Sequence, residues 1–410
     1  MRGEIAMVEK WCVFFDFLGD FMCDGSICHS RCCREWRIDI DPQTLKKYKK
    51  LKDKSLRKDI KDNISYIKQK KGYAFTLTKD NKCPFLQGDF LCRIQKQMGE
   101  SYISDICATY PRVYKDFGAY MSESLTLSCP VAVLNLLKQE KPLHLLRNKK
   151  SPKRKAMVLV PLLKGAIIDN LMSIQNAGIA LLQNQRLTMR QRWLNLFMFG
   201  EGLDKLFLQA DQDITEYIKI FLDRGQMEIG KLADGLDFLG NKYIVEFFAM
   251  LDRVMIARNV IINEREKAYE RMFWEYYHLA ESTTVGELLA LYQEANNAWR
   301  IYVMGKYPQF WENYLVYQFF STTQPIFLNG GIKHNLQVFL ISVRIQQMLL
   351  AAVAAQKKDK LQKNDIVGCV SFLVKQLEHD HSACNALGDY VKESKFETMD
   401  FLKIWLPENR

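Results

Sequence analysis

The chain contains the stretch Cys23-Asp24-Gly25-Ser26-Ile27-Cys28-His29-Ser30-Arg31-Cys32-Cys33, in which four cysteines lie within eleven residues. Neighbouring side chains such as Cys32 and Cys33 point in different directions on a helix or strand, so core packing gives no reason for the pair. The spacing instead lets a loop direct several thiolates at one metal ion or cluster. Gly25 permits backbone angles closed to other residues. We therefore predict a loop that forms half of a metal site.

Four further cysteines follow in the first third of the chain, two of them directly before proline. A tetrahedral zinc site needs four ligands, whereas iron–sulfur clusters are held by thiolates at more varied spacings. Either two sites, or one site plus reactive or structural thiols, fits the number, and spacing does not decide between zinc and iron. The predicted metal ligands are Cys23, Cys28, Cys32, Cys33, Cys83, Cys92, Cys107 and Cys129.

Composition bounds the class of protein. With 410 residues and 48% hydrophobic residues, the chain can bury a large core, which excludes extensive disorder. Asp16 and Asp20 interrupt the apolar start, and no run of about 18 uncharged apolar residues occurs, so we expect neither a membrane-spanning helix nor a signal peptide. We expect a cytoplasmic protein, in which 11 cysteines more often bind metal than form disulfides.

The formal charge of +11 is concentrated in the cysteine-containing part. Residues 1–155 contain 31 Lys and Arg against 18 Asp and Glu, a net charge of +13. Metal-bound thiolates would offset much of this excess. This offset weakens the case for a nucleic-acid partner, and we expect none. The lysines between Lys46 and Lys61 are interpreted as the solvated face of a helix.

Periodicity predicts short strands and helices up to residue 150. We expect strands at Trp36–Asp41 and Tyr73–Leu77, one or two amphipathic helices between Gln43 and Lys71, helix from Val131, and a polar linker at Arg147–Lys155.

Beyond the linker, apolar residues recur at helical spacing and predict seven or eight helices. The predicted fold class is mainly α: a cysteine-rich metal-binding domain with few short strands at 1–150, then an all-α domain at 151–410 for substrate or partner recognition.

Common cofactor motifs are absent from the sequence. It contains no Gly-x-Gly-x-x-Gly, no Gly-x-x-x-x-Gly-Lys-Ser/Thr and no His-Glu-x-x-His. The Cys-x3-Cys-x2-Cys pattern of radical enzymes is also absent. Cys28 and Cys32 match its first two cysteines, but Glu35 stands at the position of the third. A nucleotide-like cofactor would therefore bind outside the usual glycine-rich loops.

The cysteine framework resembles the bacterial flagellin lysine-N-methylases, which share a cysteine-rich part with a wider group of zinc- or iron-chelating proteins. The residues before Phe21 differ from the usual start of that family, and His29 stands where an acidic residue is common. The resemblance covers nearly the whole chain, through Cys23–Cys28, Cys32-Cys33, Trp36–Asp41, Cys83–Leu86, Leu91–Gln95, Cys107, Tyr110–Arg112, Ser124–Pro130 and Glu312–Leu315.

The resemblance implies methyl transfer from S-adenosylmethionine to flagellin lysines, with a [4Fe–4S] cluster bound by the cysteines and zinc as the alternative metal. It suggests Glu312 and Tyr314 as catalytic candidates, although a helix-packing role fits both. Tyr110 and Arg112 are cofactor-binding candidates; Arg112 could hold a carboxylate or balance thiolate charge. Radical and polar transfer both stay open.

Two other functions remain as alternatives. One is a non-enzymatic, zinc-stabilised protein-binding module, and the other is an RNA binder using the lysines, which predicts steeply salt-dependent binding. We expect flagellin as partner and no membrane association, and the sequence gives no oligomeric state. His29 could also bind the metal, but because the thiols already suffice we interpret it as a residue beside the ligands or exposed to solvent.

Overall fold

The computed structural model describes residues 10–28, 31–34, 36–68, 71–150, 157–158, 165–207, 213–225, 229, 232, 235–258, 264–277, 283–326 and 331–406. The chain divides into two compact units. The first contains the described residues up to Asn135 and from Leu146–Met157; the second contains Leu136–Leu145 and nearly all described residues from Val158 onward.

One of the two sheets of the first unit has five strands, in the order β7-β1-β6-β5-β8. β1 and β6 are parallel, with Cys12 opposite Met121, and β5 and β6 are antiparallel. Side chains of β6 are buried on both faces of the sheet, as expected for a central strand. The strands are β1 Lys10–Phe15, β5 Arg112–Asp116, β6 Met121–Leu125, β7 Leu145–Lys150 and β8 Met157–Val158.

The other sheet of the first unit has three antiparallel strands, in the order β2-β4-β3, and packs against two amphipathic helices. Asp41 and Asp53 cap these helices, and each carboxylate accepts a backbone N–H at 2.9 Å. Tyr48, Leu56 and Ile60 bury the apolar helix faces against the sheet. The elements are β2 Asp39–Ile40, α2 Pro42–Lys49, α3 Lys54–Asp62, β3 Ile64–Ile67 and β4 Gly72–Phe75.

Short helices carry or precede most of the predicted ligands in this unit. They are α1 Gly25–Cys28, α4 Arg93–Met98, α5 Asp105–Thr109 and α6 Pro130–Leu137, with a 3₁₀ turn at Arg31–Cys33.

The second unit is helical throughout its described residues, apart from connections and the strand residues Leu145 and Val158. Its centre is α14, which is buried on all sides and contacts α8, α12, α13, α15, α16 and α17. The helices are α7 Gly165–Gln183, α8 Met189–Phe207, α9 Ile214–Ile220, α10 Gly240–Ala257, α11 Glu264–Tyr277, α12 Val285–Ala298, α13 Phe310–Ile326, α14 Gly331–Lys357, α15 Lys363–Glu378, α16 His381–Ser394 and α17 Thr398–Trp405.

The mainly α fold class is confirmed, with several local corrections. The second unit has more helices than the seven or eight expected. Ile64–Ile67 is a strand, although the lysine-rich pattern suggested helix, and Leu145–Lys150 is a strand at the expected linker. The five-stranded sheet was not anticipated, because its central contact joins β1 to a strand about a hundred residues away.

One helix, Gly331–Lys360, is long and apolar enough to cross a membrane by length and composition. However, 89% of its most apolar 18-residue stretch is buried inside the protein, as in the core helix of a globular unit.

Candidate metal centre

All eleven cysteines are free thiols. The eight predicted ligands belong to the first unit, whereas Cys369 and Cys384 lie in the helical unit. Cys12 is a core residue of β1 and is fully buried. Within the described part of the chain, no three His, Cys, Asp or Glu side chains form a ready-made metal-binding arrangement. The candidate centre therefore rests on the chemistry and proximity of its thiols.

The Cys32 thiol contributes to the pKa shifts of six other predicted ligands. A hydrogen bond with the Cys33 thiol lowers the pKa of Cys32. The same hydrogen bond, followed by burial, raises the pKa of Cys33 far above the usual thiol range. The thiols of Cys83 and Cys107 add to this increase because they lie close by. The adjacent pair thus links the first cysteine loop to cysteines far along the chain.

A second set of thiols approaches Cys32 from the first loop and from the start of α6. Burial, followed by the thiols of Cys32 and Cys28, raises the pKa of Cys23 to about 11. Burial is also the main cause that raises the pKa of Cys129 to about 12, and Cys28 and Cys32 contribute. Electrostatic interactions therefore link two sets of thiols directly or through a neighbour with Cys32: Cys23, Cys28 and Cys129, and Cys33, Cys83, Cys92 and Cys107.

Backbone N–H groups point at three of these sulfurs. Cys92 and Cys129 immediately precede α4 and α6, where the first N–H groups have no helical acceptor. Such hydrogen bonds favour the thiolate, which is the form that binds metal. The donors are Phe85 and Leu86 for Cys83, Ile94 and Gln95 for Cys92, and Val131 and Ala132 for Cys129.

The segment Cys83–Cys92 folds as a tight hairpin. Its Gln87 N–H donates to the Leu91 carbonyl at 2.9 Å, and Leu86 and Cys92 form an antiparallel bridge. The Cys83 N–H donates to the carbonyl of Cys33 at 2.8 Å. This hydrogen bond brings the hairpin to the adjacent cysteine pair and explains how distant thiols become neighbours.

Some thiols also pack like ordinary core residues. Cys83 belongs to the apolar core around the three-stranded sheet, and Cys33 and Cys92 pack against it. Burial, the leading cause, raises the pKa of Cys83 to about 11, which keeps this thiol protonated at neutral pH. A bound cation reverses that preference, because it stabilises thiolates and releases their protons. The donor set therefore fits a thiolate-bound metal or cluster.

Tyr110 lies beside this cysteine cluster. Burial, followed by the nearby Cys129 thiol, raises the pKa of Tyr110 well above its usual range. Its hydroxyl is 3.0 Å from Ser128 Oγ, which is in turn 3.0 Å from Thr126 Oγ1. The Trp36 ring is 6.3 Å from the Tyr110 ring. The hydroxyl is thus engaged in a short polar chain against the cluster.

Arg112 binds a carboxylate of its own chain. Its Nη1 donates to Glu123 Oε1 at 2.7 Å, and its guanidinium lies 5.3 Å from the centre of the Phe21 ring. Lys150 Nζ donates to Glu123 Oε2 at 2.7 Å, and the Tyr114 hydroxyl donates to Oε1 at 3.2 Å. The sequence analysis did not identify this buried carboxylate. A single acidic residue between two serines, in a strand that begins and ends with apolar residues, is the pattern that could have indicated it.

Glu312 and Tyr314 lie on α13 in the helical unit. Glu312 accepts from Arg192 Nη1 at 2.5 Å and from Gln309 Nε2 at 2.8 Å, and the Arg192 and Glu312 side chains are 8% and 11% exposed. The buried Tyr314 ring stacks on Trp311 at 5.2 Å. Their observed contacts are those of helix packing. His29 lies outside the described residues.

Comparisons with known proteins follow the same division of the chain. The family model described as the FliB lysine N-methylase C-terminal domain matches residues 175–405. The flagellar biosynthetic protein FliU of Salmonella muenchen is 34% identical over 124 residues, which is 30% of this chain and 73% of that relative.

Lysine-N-methylases of Salmonella choleraesuis and Salmonella typhimurium are each 33% identical over 124 residues. That match covers 30% of this chain and 31% of each relative, so the chain matches about a third of their length. No solved structure matches the chain.

Proposed function

Because the chain belongs to the FliB lysine N-methylase family, we propose that it is a protein-lysine N-methyltransferase acting on flagellin. The match of the family model to residues 175–405, more than half of the chain, carries this proposal. A relative named as a flagellar biosynthetic protein supports a flagellar substrate. The methyl donor in this proposal is S-adenosylmethionine, and the protein works in the cytoplasm, where thiols stay reduced.

The cysteine cluster of the first unit is the proposed site of a [4Fe–4S] cluster. The electrostatic interactions that link Cys32 with seven other free thiols support it, as do the backbone N–H groups directed at Cys83, Cys92 and Cys129. When bound, such a cluster supplies an iron centre that can hold the amino and carboxylate groups of the methyl donor. Zinc is the alternative metal for the same ligands.

The chain must also prepare the substrate amine. A lysine amine has a pKa of about 10.4, so it must lose a proton before it attacks a methyl group, and burial favours its neutral form. Glu312 and Tyr314 are the candidates for the lysine pocket. The ion pair with Arg192 keeps the Glu312 carboxylate in place, which suits an orienting role better than that of a free base.

Metal analysis tests the cofactor. Iron, acid-labile sulfide and zinc are measured on full-length protein purified without oxygen, together with its visible absorption spectrum. We expect iron and sulfide in equal amounts at about four per chain. Colourless protein that contains only zinc would contradict the cluster and favour a zinc-stabilised binding module.

A methylation assay tests the reaction separately. The same preparation is incubated with purified flagellin and S-adenosylmethionine, and methylated lysines are identified by mass spectrometry. We expect methyl-lysine only when protein, flagellin and donor are all present. An iron-loaded protein that methylates no lysine would contradict the proposed activity and leave the metal assignment standing.

A further inference from the structure

β7, Leu145–Lys150, is an edge strand of the five-stranded sheet. It pairs with β1 on one side, and no other strand among the described residues pairs with it. Residues 146–149 of this strand are all exposed. Within the described part of the chain, its outer main-chain N–H and C=O groups are therefore available as a template for an added strand.

Two basic side chains of β7 lie beside an exposed tryptophan of β1. The Arg147 guanidinium is 4.5 Å from the centre of the Trp11 ring, and Lys149 Nζ is 5.7 Å from the same centre. Trp11 is 40% exposed, so the three side chains together form a surface feature, the basic edge patch. Cation–π contacts hold both charges in place at the edge of the sheet.

The basic edge patch has no anion of its own among the residues that the structure describes. Successive side chains of a strand point to opposite faces of a sheet, so Arg147 and Lys149 share a face that Lys150 does not. The two acidic residues of the described strands of this sheet already bind other cations: Asp116 pairs with Lys10, and Glu123 pairs with Arg112 and Lys150.

The charges of the basic edge patch decide which strand can be added. Lysine on an exposed edge prevents association of two identical edges, because like charges directly opposite each other repel. A second copy of β7 is therefore excluded, whereas carboxylates on a neighbouring strand are attracted to Arg147 and Lys149. Leu146 is 40% exposed and points to the other face, where an apolar residue on the neighbouring strand can pack against it.

We propose that β7 binds an extended acidic segment of a partner protein, which adds to the sheet as a sixth strand. Main-chain hydrogen bonds along β7 provide the affinity, and the side chains provide the specificity. Carboxylates at alternate positions lie opposite Arg147 and Lys149, and the apolar residues between them lie on the face of Leu146. This inference goes beyond lysine methylation and does not rest on the proposed function.

Binding is measured by fluorescence anisotropy on the full-length, metal-loaded protein. The probe is a labelled peptide of about eight residues in which valine and glutamate alternate, so that all carboxylates share one face of a strand. One control peptide has lysine in place of glutamate, and the other keeps the glutamates but has proline in place of two valines. We expect saturable binding of the probe and at least about tenfold weaker binding of both controls, because one loses the charge complementarity and the other cannot form the strand.

Hydrogen exchange locates the bound peptide. The exchange of backbone amides is followed by mass spectrometry of fragments that cover Leu145–Lys150. We expect the exchange of β7 amides to slow when the valine–glutamate peptide is bound, because an added strand accepts hydrogen bonds from the outer N–H groups. We expect the exchange of α3 to stay unchanged.

A double variant tests the charge. Arg147→Glu combined with Lys149→Glu should weaken binding of the valine–glutamate peptide at least about tenfold, because attraction becomes repulsion. The matched control is Lys58→Glu combined with Lys61→Glu, which changes the net charge equally at two exposed lysines of α3. We expect this control to keep binding within about twofold. Circular dichroism shows whether each variant is folded.

Four outcomes would overturn the proposal. They are the absence of saturable binding by the valine–glutamate peptide, equal binding of its proline-containing control, unchanged exchange of β7 in the presence of bound peptide, and equal loss of binding in the two double variants. Tighter binding of an oligouridylate that depends on Arg147 and Lys149 would also overturn it, because the basic edge patch would then bind nucleic acid instead.

Discussion

The two units of this protein are stabilised by different means. In the helical unit, α14 is buried along nearly its whole length and packs against six other helices. In the first unit, the core around the three-stranded sheet is small, and cysteines occupy positions where apolar side chains would otherwise pack. Apolar burial therefore dominates the helical unit, whereas the proposed metal would add to the stability of the first unit.

The largest expected effect comes from removing Cys32. Cys32→Ala should strip most of the bound metal and destabilise the first unit, because this thiol joins both groups of ligands. Cys369→Ala, at a fully buried cysteine of the helical unit, should keep full metal content and cost about 1 kcal/mol. Metal analysis and thermal denaturation measure both. Full metal content in Cys32→Ala would remove Cys32 from the ligand set.

A buried ion pair tests the helical unit. Lys375 and Glu266 are 1% and 0% exposed and lie 3.1 Å apart. Lys375→Met should lower the free energy of unfolding by about 3–5 kcal/mol, because it removes the buried cation that pairs with the Glu266 carboxylate. The double variant with Glu266→Leu should recover much of that loss. Urea denaturation is the measurement, and a harmless single variant would show that water reaches the pair.

Acidification should weaken the helical unit through His379. Burial, followed by the charges of Lys375 and His381, lowers the pKa of His379 to about 4. Between pH 6.5 and 4 the unfolded chain therefore takes up a proton that the folded chain does not, and stability falls by at most about 3 kcal/mol. His379→Gln should show a smaller loss of stability over this range. If the unmodified protein and His379→Gln lost the same free energy of unfolding between pH 6.5 and 4, this prediction would be wrong.

Two glycines differ in the space that surrounds them. A Cβ added at Gly178 would lie 2.3 Å from the ring of the buried Phe319, whereas one at Gly88 in the first unit meets nothing within 4 Å. Gly178→Ala should therefore cost about 2 kcal/mol through overpacking, despite the better helix propensity of alanine. Gly88→Ala should change stability by less than about 0.5 kcal/mol. Thermal denaturation compares them.

Apart from the control variants, the smallest effect is expected at Glu123 in the first unit. Glu123→Gln weakens its hydrogen bonds with Arg112 and Lys150, but the side chains of these two cations are 30% and 34% exposed and can be solvated. We expect a loss of about 1 kcal/mol, well below that of Lys375→Met. If Glu123→Gln lowered the free energy of unfolding as much as Lys375→Met, the site around Glu123 would be as inaccessible to water as the helical core.

The resemblance to flagellin lysine-N-methylases and the mainly α class were both available from the sequence, and both are confirmed. Periodicity predicted one or two amphipathic helices in the region of α2 and α3 because that signal is local, and the structure adds Asp41 and Asp53 as their caps. The same reasoning extended helix across Ile64–Ile67, where pairing with β4 overrides the local pattern.

The sequence by itself determined the family, the helical unit and the eight cysteines of the candidate centre, because residue type, spacing and the 3.6-residue period are written locally along the chain. Only the tertiary structure decided that β1 pairs with β6, that Glu123 is the carboxylate Arg112 binds, and that Lys375 pairs with Glu266 in the helical unit. Those relations join residues distant in sequence. They depend on which surfaces are buried against each other, which no local pattern records.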